Sequence, residues 1–439
     1  MKTKVITATS IILLALAVTV VFLNRSTELK APVAHSMEPE KGCVFMTTFG
    51  EQSSEGYAIF KSDAAIITAI DKGLDWLSQS QQPNGGWGAG LHSMQHQMDP
   101  HSVKTDPATT AMVAMAILRS GSTLKDGQYS SSLNKALNYL LLAVESTSKD
   151  DPYITTNRGT QIQSKLGEHI DAVLTMQFFS NLLNHELNDD KKRRIERALD
   201  ICVSKVQMAT DDQGKVKNAG WAGVLQSGFA TNALESAEAV GANVDKKILE
   251  KQRAYQKGNV DEQTGDVKTS DGAGIMLYSV SSSVRATAKE AREAEEQLNK
   301  AKEEGIIAVE EIVTPQALER IGFDADKAKK YSASYGVYNA AKEQAQRDDV
   351  MTGFGNNGGE EFLSYLQTGE SLLVNKDNDW KTWYDKISGR IVKIQNKDGS
   401  WNGHHCITSP VFCTATSLMI LTVENDIDWL TKLGENTKI

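Results

Sequence analysis

Positive charge is in short supply in this sequence: 47 Lys and Arg stand against 56 Asp and Glu, for a formal net charge of −9. A groove that tracks phosphates needs a cationic surplus, so nucleic acid is not expected as a partner. The most charge-rich stretch, 289–304, mixes both signs and does not supply one. Cysteine is scarce too, limited to Cys43, Cys202, Cys406 and Cys413. In an oxidising compartment these could pair, but four in 439 residues give little support for a disulfide framework, and buried free thiols account for them equally well.

What is present is ordinary globular material, 40% apolar and 23% charged, long enough for one large domain or two smaller ones. The N-terminus stands apart. Lys2 and Lys4 precede a largely apolar run over 5–23, whose polar members are Thr7, Thr9, Ser10 and Thr19. A helix needs roughly 17–25 residues to cross a bilayer, more than the roughly 7–15 apolar residues of a cleaved signal. The run therefore predicts an uncleaved transmembrane anchor, with cleavage near Ala34 and secretion as the alternative. Basic residues before the span and balanced charge after it keep the N-terminus cytoplasmic, which places the bulk of the protein in the periplasm or an equivalent extracytoplasmic space. Residues 24–60, with Pro32, Pro39, Ser53 and Ser54 and no sustained period, read as a tether.

From Ala64 the pattern is helical. Ile66, Ile67, Ile70, Leu74 and Leu77 recur at three- and four-residue spacing, the mark of a helix burying one face. A Gly-rich turn follows, and then 109–118 is apolar nearly all round, as expected of a helix with no solvent side. The alternation returns at 133–144 with 170–183, 191–207 with 226–240, and 380–395 with 411–423, while 361–374 is a further helix of the second kind. Spacings of roughly 45–60 residues between equivalent helices indicate a repeat array of five to six helical hairpins. The stretch 245–350 reads as an irregular insertion. Within it, 283–304 is expected as a solvated helix on the outside or, failing that, as a partner-binding coiled helix.

Two turns share one spacing: Gln81, Gly85 and Trp87 at one end of the array, Gln395, Gly399 and Trp401 at the other. Such glycines can take the positive φ that ends a helix, the Gln amide can bond free peptide groups, and the Trp ring can cover the junction. This pattern resembles the Gln-Trp repeat of the squalene cyclase, terpenoid cyclase and protein prenyltransferase superfamily, where such turns link the outer to the inner helices of a closed α/α ring. Degenerate copies are expected at Asp212-Gln213-Gly214 with Trp221, and at Gly353-Phe354-Gly355. The resemblance implies an all-α fold, an α/α toroid over 61–435. The turns report fold rather than activity.

The chemistries associated with that architecture fail on the residues. No Asp-x-Asp-Asp segment is present for alkene protonation, and Asp324-Ala325-Asp326 runs into Lys327. Asp200 and Cys202 have the two-residue spacing of the prenyltransferase zinc ligands, yet they lie in a basic helix assigned to the outer layer. A thioester of the complement type needs Cys-Gly-Glu-Gln contiguous, whereas Gly50-Glu51-Gln52 stands well past Cys43.

One constellation remains. His92, His96 and His101 follow the first turn, and His404 and His405, beside Cys406, follow the last. In a closed ring both loops emerge on the same rim, where His169 opens another inner helix and Asp99, Asp106 and Asp398 offer acid or base groups. Helix N-termini converging there favour an anion, and His92, His96, His404 and His405 could hold a divalent metal. Two readings follow. One is a membrane-tethered, non-catalytic domain binding a small-molecule ligand or a protein partner. The other is a lipid- or glycan-processing enzyme, with or without metal, working from the histidine rim. A deep pocket where the histidines meet favours the enzyme; a plugged hole favours binding.

Overall fold

The computed structural model describes residues 63–148, 150–353 and 358–434. The expected anchor at 5–23, the tether and Cys43 lie outside these residues. Among the described residues no helix is long and apolar enough to cross a membrane. Every regular element among them is helical, apart from isolated bridges such as Thr210 with Val216.

In chain order the helices are α1 (Ala64–Gln79), α2 (Pro107–Arg119), α3 (Ser130–Glu145), α4 (Gln161–Leu166), α5 (Ile170–Leu183), α6 (Asp189–Ala209), α7 (Gly223–Ala239) and α8 (Lys246–Lys257). After these come α9 (Met276–Glu303), α10 (Pro315–Arg320), α11 (Ala325–Gln346), α12 (Asp348–Met351), α13 (Gly359–Asn375), α14 (Trp380–Lys393), α15 (Pro410–Leu421) and α16 (Ile427–Gly434). Local chemistry fixes many starts. Asp63, Asn188 and Asp324 cap α1, α6 and α11 through their side chains, and Asp106-Pro107 and Ser409-Pro410 put a capping side chain before a proline at the first helical position.

The helices form two concentric layers. Inside stand α2, α5, α7, α9, α13 and α15, each packed on the next, with α15 packed back on α2 to close the ring. Outside stand α1, α3, α6, α8, α11 and α14, which bury one face against the inner layer. Six hairpins result. The inner helices α2 and α15 are buried along their whole length, whereas α1 and α3 bury only one stripe.

The region 245–350 supplies α8, α9 and α11. The expectation that 283–304 lies on the ring's outside is corrected here: Ser283, Val284, Arg285, Thr287, Ala288 and Ala291 are buried, and α9 is an inner helix over its first half. Its many Ser, Ala and Thr residues resemble a solvated surface in composition, but small side chains also let helix backbones approach closely. A Cβ on Gly228 of α7 would lie 2.7 Å from Ser282 Oγ. The second half of α9 runs on to pack with α10 and α11 around Ala294, Leu298, Ala317, Leu318 and Ala328.

The two Gly/Trp corners are the same joint. Trp87 Nε1 donates to Leu77 O at 2.9 Å and Trp401 Nε1 to Ile391 O at 2.8 Å. The peptide N–H of Trp87 donates to Thr110 Oγ1 at 2.9 Å, that of Trp401 to Thr414 Oγ1 at 2.8 Å. Gln81 Nε2 bonds Gly85 O and, on α3, Ser132 O; Gln395 Nε2 bonds Gly399 O and, on α1, Ala69 O, all at 2.9 Å. The last joint thus latches the end of the domain to its beginning. The third copy differs from expectation. Gly214 holds its place, against Lys251 O of α8, but Val216 takes the tryptophan position, its N–H donating to Ser227 Oγ at 3.1 Å. Trp221 is 61% exposed beside Lys165 instead. Of the Gly353 copy, Phe354 and Gly355 lie outside the described residues.

Two helices close the bore. At the end where the inner helices finish, α16 packs on α7, α9 and α13 and inserts Trp429, Leu430 and Leu433. At the end where they begin, α4 crosses the mouth: Gln161 Oε1 accepts from Thr408 N and Ser409 N before α15, and Lys165 O accepts from Ala222 N before α7. The pocket under α16, touched by all six inner helices, has a free volume of about 20 Å³, room for a single water.

Candidate site on the mouth rim

Every outer-to-inner connection emerges on the mouth side, so the first and last loops are neighbours there. Thr408 Oγ1 donates to Gln95 O at 2.6 Å, stitching the two histidine loops together. The first loop is pinned from below by Gln82 Nε2, which bonds Pro100 O and Val103 O.

Sharing a rim does not bring the predicted residues into one site. His92 is half-buried, its Nδ1 2.6 Å from Gln95 Nε2, and its basicity is lowered by burial and then by Lys165. His96, His101 and His404 are exposed. Among the described residues, the four-histidine metal set does not assemble: His405 alone belongs to a group of three or more candidate ligands. His169 is 4% exposed and stacked on Tyr153 with ring centroids 5.0 Å apart, while Arg158 covers the other face of Tyr153 at 4.0 Å. That sandwich fixes the 150–160 loop, so His169 is a packing residue, its pKa lowered chiefly by burial.

The three aspartates are caps and turn residues. Asp106 is fully buried at the start of α2, accepting from Thr109 N at 2.8 Å, Thr109 Oγ1 at 3.0 Å and Ala89 N at 2.9 Å. Burial and the neighbouring Asp171 carboxylate push its pKa up to about 7. Asp171 is likewise buried, accepting from Ala108 N and Gln163 Nε2. Asp398 accepts from Ser400 N and Oγ within its turn, and Asp99 from His101 N and Ser102 Oγ. Asp200 and Cys202 also part company: on outer helix α6 Asp200 is exposed and Cys202 buried.

The residues that do converge are Glu360 and Glu361 of α13 with His405 and Cys406 of the last loop. A carboxylate oxygen of Glu360, a ring nitrogen of His405 and Cys406 Sγ all lie within 4.8 Å of one another. Glu360 Oε2 accepts from Ile407 N at 3.3 Å. Glu361 accepts from Gly358 N at 3.0 Å and from Tyr278 Oη at 2.7 Å, and its Oε2 lies 4.0 Å from His405 Nε2. Burial and then Glu361 push the Glu360 pKa up to about 8; burial and then Glu360 push the Cys406 thiol up to about 11. A thiol so held is protonated at neutral pH and is no ready nucleophile. Cys406 has φ +59°, the left-handed region that a Cβ residue seldom occupies. Buried Lys165, its Nζ 4.6 Å from the Trp221 ring centroid, sends its charge toward Glu360 and Cys406. Cys202, Cys406 and Cys413 are all free thiols.

The sequence reading missed Glu360 and Glu361. The signal available was a charged pair opening a helix that otherwise reads as apolar on every side. On the first loop of the rim, residues 91–104 frame a groove of about 230 Å³ lined by Leu91, Met94, Gln97, Val103 and Asn157. Leu91, Met94 and Met98 are each at least 40% exposed.

Residues 44–156 match the family described as A-macroglobulin TED domain. Two solved structures are similar over 83% of this chain. One is the apo form of the type II terpene cyclase MstE from Scytonema, 10% identical, with a TM-score of 0.44 and 99% of that chain covered. The other is an arginine-to-alanine variant of the same enzyme with its substrate, geranylgeranyl dihydroxybenzoate, 11% identical, with a TM-score of 0.44 and 98% covered. No curated protein matches the chain.

Proposed function

Because this chain is an α/α toroid with a filled bore, we propose that it is a binding domain and does no chemistry in the ring. It takes a small-molecule ligand or a protein partner on the loop-bearing rim, and the apolar run at 5–23 tethers it to a membrane with the ring on the extracytoplasmic side. The observation that carries this reading is the bore itself: α4 lies across one mouth, and the pocket under α16, touched by all six inner helices, has a free volume of about 20 Å³, too little for an organic substrate. The rim offers what the bore does not. Its groove of about 230 Å³ joins apolar Leu91 and Met94 to the polar loop around Gln97 and Asn157, a mixture suited to recognition. The enzymatic alternative is weakened because Asp99, Asp106 and Asp398, its acid and base candidates, are occupied in capping and turn bonds.

A photo-crosslinking residue at Met94 in the full-length protein, in its native membrane, tests this reading. A discrete adduct is expected, lost when Leu91 is changed to Glu and absent when the crosslinker sits at Met208, an exposed position on outer helix α6. Equal crosslinking from Met208 would place recognition on the ring's outer wall and overturn the assignment.

A further inference from the structure

The Glu360, His405 and Cys406 cluster is held by two successive hairpins, α11–α13 and α14–α15, whose inner helices pack on each other, and its three donor types are those of a metal site. We propose that these three side chains bind one divalent cation of borderline softness, Zn²⁺ before others, on the rim. This does not rest on the binding function of the groove.

The donor set decides the class of ion. A thiolate with an imidazole disfavours the hard ions Mg²⁺ and Ca²⁺, which take oxygen ligands, and one S, one N and one O donor suit tetrahedral zinc. Zinc bonds of about 2.0–2.3 Å put neighbouring donors roughly 3.5 Å apart. The donors here lie within 4.8 Å, so an ion would draw them in by about an ångström or less on each side. His405 and Cys406 are half-buried in a loop and can make that adjustment, while Glu360 sits in a helix and gives the fixed point.

Backbone geometry makes the adjacent pair converge. Along an extended chain successive side chains point to opposite sides. The left-handed φ of +59° at Cys406 breaks that alternation and lets two consecutive residues reach toward Glu360. Room for the imidazole comes from Gly358, where a Cβ would lie 2.9 Å from His405 Cε1.

A second tier of groups is also present. Metal-binding histidines usually turn their other ring nitrogen toward a carboxylate. Glu361 Oε2 stands 4.0 Å from His405 Nε2 and accepts from the Gly358 N–H, while its Oε1 accepts from Tyr278 Oη. The peptide N–H of Ile407 orients Glu360 in the same way. Three protein donors leave a fourth position for water or for a donor brought by a bound molecule. Lys165 is the competing cation, since its charge acts on both Glu360 and Cys406.

The test uses the full chain in detergent, stripped with chelator and titrated with Zn²⁺ and Co²⁺. About one ion per chain is expected, and the Co²⁺ form should show a thiolate-to-cobalt charge-transfer band. Cys406→Ser should abolish the band, and Glu361→Gln should weaken binding by about tenfold or more. His404→Ala and Cys413→Ser should leave both unchanged, and Lys165→Met should tighten binding, a gain that a misfolded variant cannot mimic. Substoichiometric uptake by the wild type, a band that survives Cys406→Ser, or an equal loss in His404→Ala would each overturn the assignment.

Discussion

At the residue scale, a glycine of the last corner turn and the glycine that follows α2 separate conformational from steric demands. Gly399 has φ +95° and a Cβ there would lie 2.6 Å from Lys72 O; Gly121 has φ +96° with nothing within 4 Å. Gly121→Ala should cost only about 1 kcal/mol, the price of a left-handed residue. Gly399→Ala must also displace the α1 backbone and should cost clearly more in urea denaturation; equal effects would mean the last turn is not pressed against α1 in solution. Titration gives a second residue-scale prediction. Asp106 is raised from 3.8 to about 7 by burial and then by Asp171. The folded protein therefore holds a proton that the unfolded chain releases, so this contribution to stability is complete below about pH 4 and is lost as pH rises to about 7. Asp171→Asn removes the neighbouring charge, and Gln163 can turn its amide to keep the bond. The variant should lose less stability than wild type between about pH 5 and about pH 8, read as the shift in urea midpoint.

At the element scale, the short closing pieces depend on a few polar ties. Arg119, at the end of α2, pairs with Glu370 of α13 at 2.6 Å and with Asp426, just before α16, at 2.5 Å, and its Nη1 donates to Met419 O. Arg119 is 5% exposed, so Arg119→Ala would leave two carboxylates facing each other without a cation. A loss of about 3–5 kcal/mol is expected, accompanied by faster proteolysis at 423–434 than in the rest of the ring. If the segment stays protected, apolar contacts of Trp429 and Leu433 hold the plug and the ion pairs are secondary. The outer helices α1, α3, α6 and α14 were legible from apolar spacing and α2 from its unbroken apolar run, whereas α8 and α11 fell in the stretch expected to be irregular. Helix α4, six residues long, shows no period, and its role across the mouth depends on where Gln161 and Lys165 reach. The α9 misreading has the same origin: Ser and Ala carry little apolar signal, yet they are what a closely packed inner helix requires.

At the scale of the whole molecule, the ring is a cycle of equivalent contacts, and its closing joint can be compared with an internal one. Gln81→Ala severs a tie between successive hairpins; Gln395→Ala severs the tie between last and first. Each should cost about 1 kcal/mol, measured by equilibrium denaturation. A negligible effect at Gln395 alone would show that the ends are not latched in solution. The first and last loops touch through Thr408 Oγ1 and Gln95 O, because the ring closes. Which side chains would meet there was not legible, since that depends on the tilt of α13 against the last loop and on the backbone twist at Cys406.

Sequence alone determined the helical class, the alternation of amphipathic and fully apolar helices, and the two matched corners that imply a ring. These are periodic, local properties, written into apolar spacing and turn chemistry. Tertiary structure alone decided that the bore is stopped at both ends, that Asp106 is a buried cap and His169 a packing residue, and that Glu360 meets His405 and Cys406. Those outcomes depend on contacts between residues far apart in the chain, whose geometry is fixed only when six hairpins pack at once and leave no free angle between them.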